Sequence, residues 1–166
     1  MIYASHTCEY LVTYSAPSLS DLTDEHVALL PPTGGKTAGW ILGHLCITGD
    51  FVRRKAGAAP FTPREWGPRF APGTAAPVDA SAYPPMRDLT DCFERVYRDL
   101  ARVGPAFTPE LLASANPFEP ARHRFTTFGE FAAWIMTGHL GYHLGQLSGW
   151  RAAMGLRLRP GATFAI

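Results

Sequence analysis

The placement of helix breakers constrains this chain more than any other feature. Of its 16 glycines and 15 prolines, six glycines and 13 prolines fall in 31–35, 57–85 and 104–120. Glycine weakens a helix through backbone entropy, and proline lacks the amide donor and clashes with the preceding turn. Four stretches are left in which a helix can run: about 3–16, 37–55, 85–103 and 127–154. No segment alternates with the two-residue period of a half-buried strand, and 122–125, which could be extended, has no evident partner. A chain of 166 residues can bury a core without staples. The reading is therefore one all-α domain over residues 1–166, built as an antiparallel four-helix bundle.

The four stretches differ in clarity. In the first, Tyr3, Thr7, Tyr10, Leu11 and Tyr14 trace a partial apolar stripe, followed by cap residues Thr23 and Asp24. The second begins at Thr37, a cap, and repeats Trp40, Ile41, His44, Leu45, Thr48, Phe51 and Val52 at three- and four-residue steps. It ends with Arg53, Arg54 and Lys55, cations that suit a helix C-terminus, before Gly57. The third has Pro85 at its start, an apolar face from Leu89 to Val103, and Gly104-Pro105 as its stop. The fourth opens on Thr127 and Glu130, the spacing of a capping box. It is apolar enough to be expected as the central helix, buried on most sides. Gly138, Gly141, Gly145 and Gly149 each cost roughly 1 kcal/mol against alanine there, a cost that implies close approach of another helix or a cavity.

Within this frame, His139 and His143 stand four apart, so a helix points both imidazoles the same way from consecutive turns. The HExxH zinc proteases use that spacing, with the glutamate as general base. Here the residue after His139 is Leu140, so such a protease is excluded. Two histidines can fall four apart by chance, but two uncompensated imidazoles in an apolar helix are costly. His44 adds a third, inside the apolar stripe of the second helix. Three neutral imidazoles across two helices match a catalytic zinc-like site, with three protein ligands and an open position. His6, His26 and His123 lie in weaker segments and read as surface residues. Asp50 is six residues from His44, about 600° round the helix, and is expected to face away into solvent or to cap. Gln146 can either support the site or be a satisfied polar core residue.

The segments 39–45 (GWILGHL) and 139–147 (HLGYHLGQL) resemble the two signature helices of the DinB-like superfamily, W-x-x-x-H and H-x-x-x-H-x-G-Q. The resemblance extends to the Leu-Thr-Asp-Glu run at 22–25, to 31–35 and to the long loop before the third helix. It implies a DinB-like four-helix bundle with His44, His139 and His143 as ligands of a divalent metal (zinc, nickel or iron) and Trp40 and Gln146 shaping the site. It also implies metal-dependent thiol chemistry, as in bacillithiol and mycothiol transferases and a maleylpyruvate isomerase. In that chemistry the metal binds a low-molecular-weight thiol, lowers its pKa and presents it to an electrophile. The alternatives are a metal-dependent hydrolase using a metal-bound water and a non-enzymatic metal-binding or stress-related module. A purely structural site fits less well, since such sites normally take a fourth protein ligand. No catalytic residue beyond the metal ligands is assigned.

The remaining expectations concern surroundings. The loop 56–84, with Phe61, Trp66, Phe70 and Tyr83, is the expected mouth of the pocket, and Arg64 and Arg69 there can receive a substrate carboxylate. A net charge of +1 gives no footprint for nucleic acid or anionic lipid. No apolar run approaches the roughly 20 residues of a membrane span. Cys8, Cys46 and Cys92 form no CxxC and read as reduced thiols. With no basic region and apolar core at 1–6, the expected location is cytoplasmic. The expected partners are a small-molecule thiol and an electrophile, and the resemblance implies a homodimer.

Overall fold

The structure is a computed structural model that describes residues 1–156; the last ten residues of the expected domain lie outside the described residues. Thr37 opens α2 (Ala38–Lys55) by accepting the Trp40 N–H at 3.2 Å. Gly57, at φ +92°, follows its end. Thr127 and Glu130 form the expected capping box at the start of α4 (Phe128–Trp134). α1 covers Ile2–Leu19 and α3 covers Met86–Val103. The Asp24 carboxylate, expected to start a local turn, accepts the Met86 N–H at 2.6 Å and so caps α3 across 62 residues of sequence. α4 continues through a π-helical turn, Ile135–His139, into α5 (Leu140–Ala153). Among the described residues there is no strand. One isolated antiparallel bridge joins Ala115 to Thr127, and 122–125 is a turn closed by the Phe125 N–H on the Ala121 carbonyl.

α2, not the last helix, is central. It packs on α3, on α5 and on the π turn, while α1 lies against α3 and α5, and nearly every α2 residue from Ala38 to Val52 is buried. Three of its glycines make that possible. A Cβ at Gly39 would lie 2.6 Å from Val27, at Gly43 2.6 Å from the Phe70 ring, and at Gly49 2.5 Å from Val96, all well inside van der Waals contact. Of the four glycines of the last helical stretch only Gly138 has such a role, its missing Cβ leaving room for the Trp134 ring. Gly145 and Gly149 face open space, and Tyr142 is 61% exposed, so α5 is open to solvent along one face rather than enclosed.

α1 turns the opposite way from its predicted stripe. Its buried residues are Ser5, Cys8, Val12 and Ser15, while Tyr3 is 88% exposed and Tyr10 52%. Small side chains let α1 sit close to α3, with the tyrosines outward. The helix also runs past 16 with Pro17 inside it.

The segment 56–84 is bolted to the helices at four points. Asp50, expected at the surface, is 1% exposed and accepts from Arg53 Nη1 (2.7 Å), Phe61 N (3.0 Å) and both Thr62 N (3.2 Å) and Thr62 Oγ1 (2.7 Å). Facing away from His44 takes it into a second packed interface, where Arg53 also pairs with Asp99 of α3 at 2.6 Å. Phe70 fills the notch at Gly43. Thr74 accepts the Trp40 Nε1–H at 2.9 Å and, through its carbonyl, the Lys36 ammonium. Tyr83 lies 2.8 Å from the Thr37 hydroxyl and donates to the Pro77 carbonyl.

Candidate metal centre

These anchors place one carbonyl, that of Phe70, against the middle of α2. His44 Nδ1 lies 2.8 Å from it, and since a carbonyl only accepts, Nδ1 carries the proton and Nε2 is left with a bare lone pair. Trp40, one turn earlier, stacks on the other face of the imidazole at 4.8 Å and 7°, itself covered by Lys36 at 4.1 Å. His44 is 4% exposed.

The π turn presents the second histidine. Thr137 Oγ1 donates to the Ala133 carbonyl at 2.7 Å, and Gly138 leaves the space over which the Trp134 ring folds. A widened turn of this kind shifts the register of the helix beyond it and is common at functional sites. His139 Nε2 then lies 3.2 Å from His44 Nε2. His143 follows one turn later, its Nδ1 2.8 Å from Gln146 Oε1, while the Gln146 amide donates to Tyr142 Oη at 2.9 Å. Gln146 therefore supports the site, fixing the His143 proton at Nδ1 and freeing Nε2.

The nitrogens offered by His44, His139 and His143 all lie within 4.8 Å of one another. A tetrahedral ion with nitrogen ligands at 2.0–2.1 Å sets its donors about 3.3 Å apart, so the cluster is of the right size. The protons argue the same way. With His44 protonated at Nδ1, either His139 donates through Nε2 and leaves a bare buried Nδ1, or two lone pairs face each other at 3.2 Å. His139 Nδ1 has no partner in either case. A cation among the three Nε2 lone pairs removes that opposition, and the three histidines fit one.

Burial keeps the cluster neutral. Desolvation, with repulsion from His143 and His44, pushes His139 down to about 3. Desolvation and His44 take His143 to about 4 against its Gln146 bond. His44 is lowered by desolvation, against its Phe70 bond and helped by Lys36. At neutral pH all three are free to ligate.

His44 and His139 form the floor of an apolar hollow of about 400 Å³. α2 contributes Ile47, Thr48 and Phe51, and the helix carrying His139 contributes Phe131, Trp134 and Ile135. The expected mouth residues are not its lining: Trp66, Phe70 and Tyr83 are core, and Phe61 is held between Arg53 and Arg95 at 3.3 and 3.8 Å. Segment 56–84 instead supplies Gly67, Ala71 and Pro72. A second loop, which sequence reasoning missed, closes the other side with Phe118 and Ala121. It is organised by buried Asn116, whose side chain donates to Phe125 O and accepts Phe118 N–H, both at 2.9 Å. The available signal was the Asn-Pro-Phe turn at 116–118.

The other histidines stay apart from the site. His6 and His123 are exposed, and His26 closes a capping box with Thr23. Cys8 and Cys46 are buried free thiols and Cys92 is partly buried; burial pushes Cys8 up to about 12 and raises Cys46 as well. Arg64 and Arg69 are exposed. No described helix is long and apolar enough to cross a membrane.

A family model described as the DinB superfamily matches residues 13–147, which is most of the chain and includes all three histidines. The chain belongs to that superfamily. No curated protein and no solved structure matches it.

Proposed function

We propose that this DinB-superfamily chain, read as an antiparallel four-helix bundle, is a metal-dependent enzyme. It would bind one divalent ion through His44, His139 and His143 and transfer a low-molecular-weight thiol to an electrophile. The observation that carries the reading is the combination of a three-nitrogen cluster with an open apolar hollow directly above it. A closed structural site takes four protein ligands, whereas a catalytic one keeps a position free, and among the described residues no Asp, Glu or Cys joins the cluster.

The chain's residues have separable tasks in this reading. Phe70 O and Gln146 Oε1 hold protons at Nδ1 of His44 and His143 and so aim two Nε2 lone pairs inward. Trp40 fixes the His44 ring plane. Phe51, Phe131 and Trp134 exclude water from the side on which the electrophile would lie. A bound divalent ion would supply the charge that lowers the thiol's pKa. Among the described residues no carboxylate lines the hollow, which favours a nucleophile that the metal itself activates.

The test is metal content followed by turnover. The wild type is expected to hold one ion per chain, and His44→Ala and His143→Ala to lose it. Metal-loaded protein is expected to consume electrophiles only in the presence of a thiol, across a panel of small thiols. Unchanged metal content in both variants refutes the site. Hydrolysis of esters without any thiol refutes the transferase in favour of the hydrolase.

A further inference from the structure

The apolar hollow does not end at its own rim. Ile47, Phe51 and Gly67 also line an adjoining trough of about 520 Å³, whose other walls include Arg54, Thr62 and Arg64. The two spaces therefore abut along α2, and a ligand that crosses Ile47 and Phe51 passes from His44 to Arg54. His44 and Arg54 are ten residues apart, which is about 15 Å along a helix axis. Helical side chains lean toward the N-terminus, so the guanidinium tilts back toward the histidines and shortens that span.

The chemistry changes along the path. The inner part is walled by aromatic and aliphatic side chains. The outer part carries two arginines and no acidic residue. Among the described residues Arg54 and Arg64 have no ion pair, as is true of Arg69, Arg95, Arg122 and Arg124, whereas Arg53, Arg87, Arg98, Arg102 and Arg151 each have at least one. Two uncommitted guanidiniums at the end of an apolar channel are fork-shaped donors suited to a carboxylate. Arg69, expected from the sequence alongside Arg64, lines neither space, and Arg54 takes its place.

We infer that this path binds a small molecule with an apolar, ring-bearing body and a terminal carboxylate, the body over His44 and His139 and the carboxylate at Arg54 and Arg64. This rests on reading the hollow as the acceptor side of the proposed transferase, and it names the acceptor's class. A ligand spanning the path has its carboxylate on the order of 12 Å from the reacting end.

6-Phenylhexanoate and its neutral amide serve as probes, with binding followed by titration calorimetry and tryptophan fluorescence, since Trp134 lines the hollow. Wild-type protein loaded with zinc is expected to bind the acid about 5- to 10-fold more tightly than the amide, the modest ratio of rim-exposed charge pairs. The ratio is expected to shrink in high salt. Arg54→Gln/Arg64→Gln is expected to bring the acid down to the amide and leave the amide unchanged. Both arginines are exposed, so the double variant is expected to keep the wild-type circular dichroism and melting point. Equal binding of acid and amide by the wild type overturns the inference. So does an acid preference that survives the double substitution and disappears on removing zinc, because the carboxylate then sits on the metal. Binding of neither probe overturns it too. None of these readouts involves turnover, so failure of the transferase reading shows only in the thiol panel.

Discussion

Replacing Gly43 by alanine isolates the link between helix packing and the proposed metal site. In an exposed helix the change stabilises by about 1 kcal/mol. At Gly43 the new methyl would lie 2.6 Å from three carbons of the Phe70 ring, about 1 Å inside normal contact. Phe70 is fully buried, with Trp66 and Tyr83 packed on it, so the ring can retreat only by moving its backbone. Overpacking of this kind costs about 1–3 kcal/mol, which leaves a net loss of about 1 kcal/mol after the helix gain. The larger effect is expected on metal binding. The same backbone carries the carbonyl that holds His44 Nδ1, and losing such support weakens a metal site about 10- to 100-fold. Gly145→Ala is the matched control. It is the same substitution two residues from His143, but with nothing within 4 Å, and it should gain about 0.5–1 kcal/mol with unchanged affinity. Urea unfolding of the metal-free forms and competition against a chromogenic chelator give the two numbers. If Gly43→Ala is as stable as Gly145→Ala and binds metal like the wild type, the route from Gly43 through Phe70 to His44 is refuted.

Acid should destabilise the metal-free protein in a window that begins near neutrality. His139 titrates at 6.5 when unfolded and at about 3 when folded, so the unfolded chain takes up the proton first and stability falls as pH drops from about 6.5 towards about 3. At pH 5 the loss from His139 alone is about 2 kcal/mol, and His139→Ala is expected to flatten the stability profile between pH 7 and 5. A variant with the wild-type slope contradicts the buried neutral imidazole. Asp50→Ala leaves Phe61 N, Thr62 N and Thr62 Oγ1 without their acceptor and unbalances Arg53. It should cost about 3–5 kcal/mol, lower the melting point by roughly 10 °C, and weaken metal binding by loosening 56–84. A melting point within about 2 °C of wild type would place the anchor of that segment elsewhere.

The three histidines were legible in the sequence because helical periodicity is local: four residues between His139 and His143, and the stripe from Trp40 to Phe51, orient them without knowledge of any distant contact. The groups that hold them were not legible, because they come from pairings far apart in the chain. Asp50 shows the difference. The arithmetic that turned it away from His44 was right, but a helix packed on every side has no solvent face. Away from the histidine cluster meant toward Arg53, Asp99 and the 56–84 segment. The aromatics of that segment did mark it as part of the site. Their contribution, however, is a buried scaffold that fixes one carbonyl, and a carbonyl leaves no trace in side-chain identity. The glycines misled for the same reason. Their density drew attention to the last helix, where Gly138 makes room for Trp134 but Gly145 and Gly149 meet nothing, while the three that let other elements approach the central helix, Gly39, Gly43 and Gly49, lie in α2. That pattern was readable in principle, since those three interrupt the most apolar helix between large side chains, where glycine has no reason to persist unless something occupies the missing methyl's place. At Gly43 the occupant is the Phe70 ring, so one small residue in the helix and one large one in the loop determine together which nitrogen of His44 is free to bind.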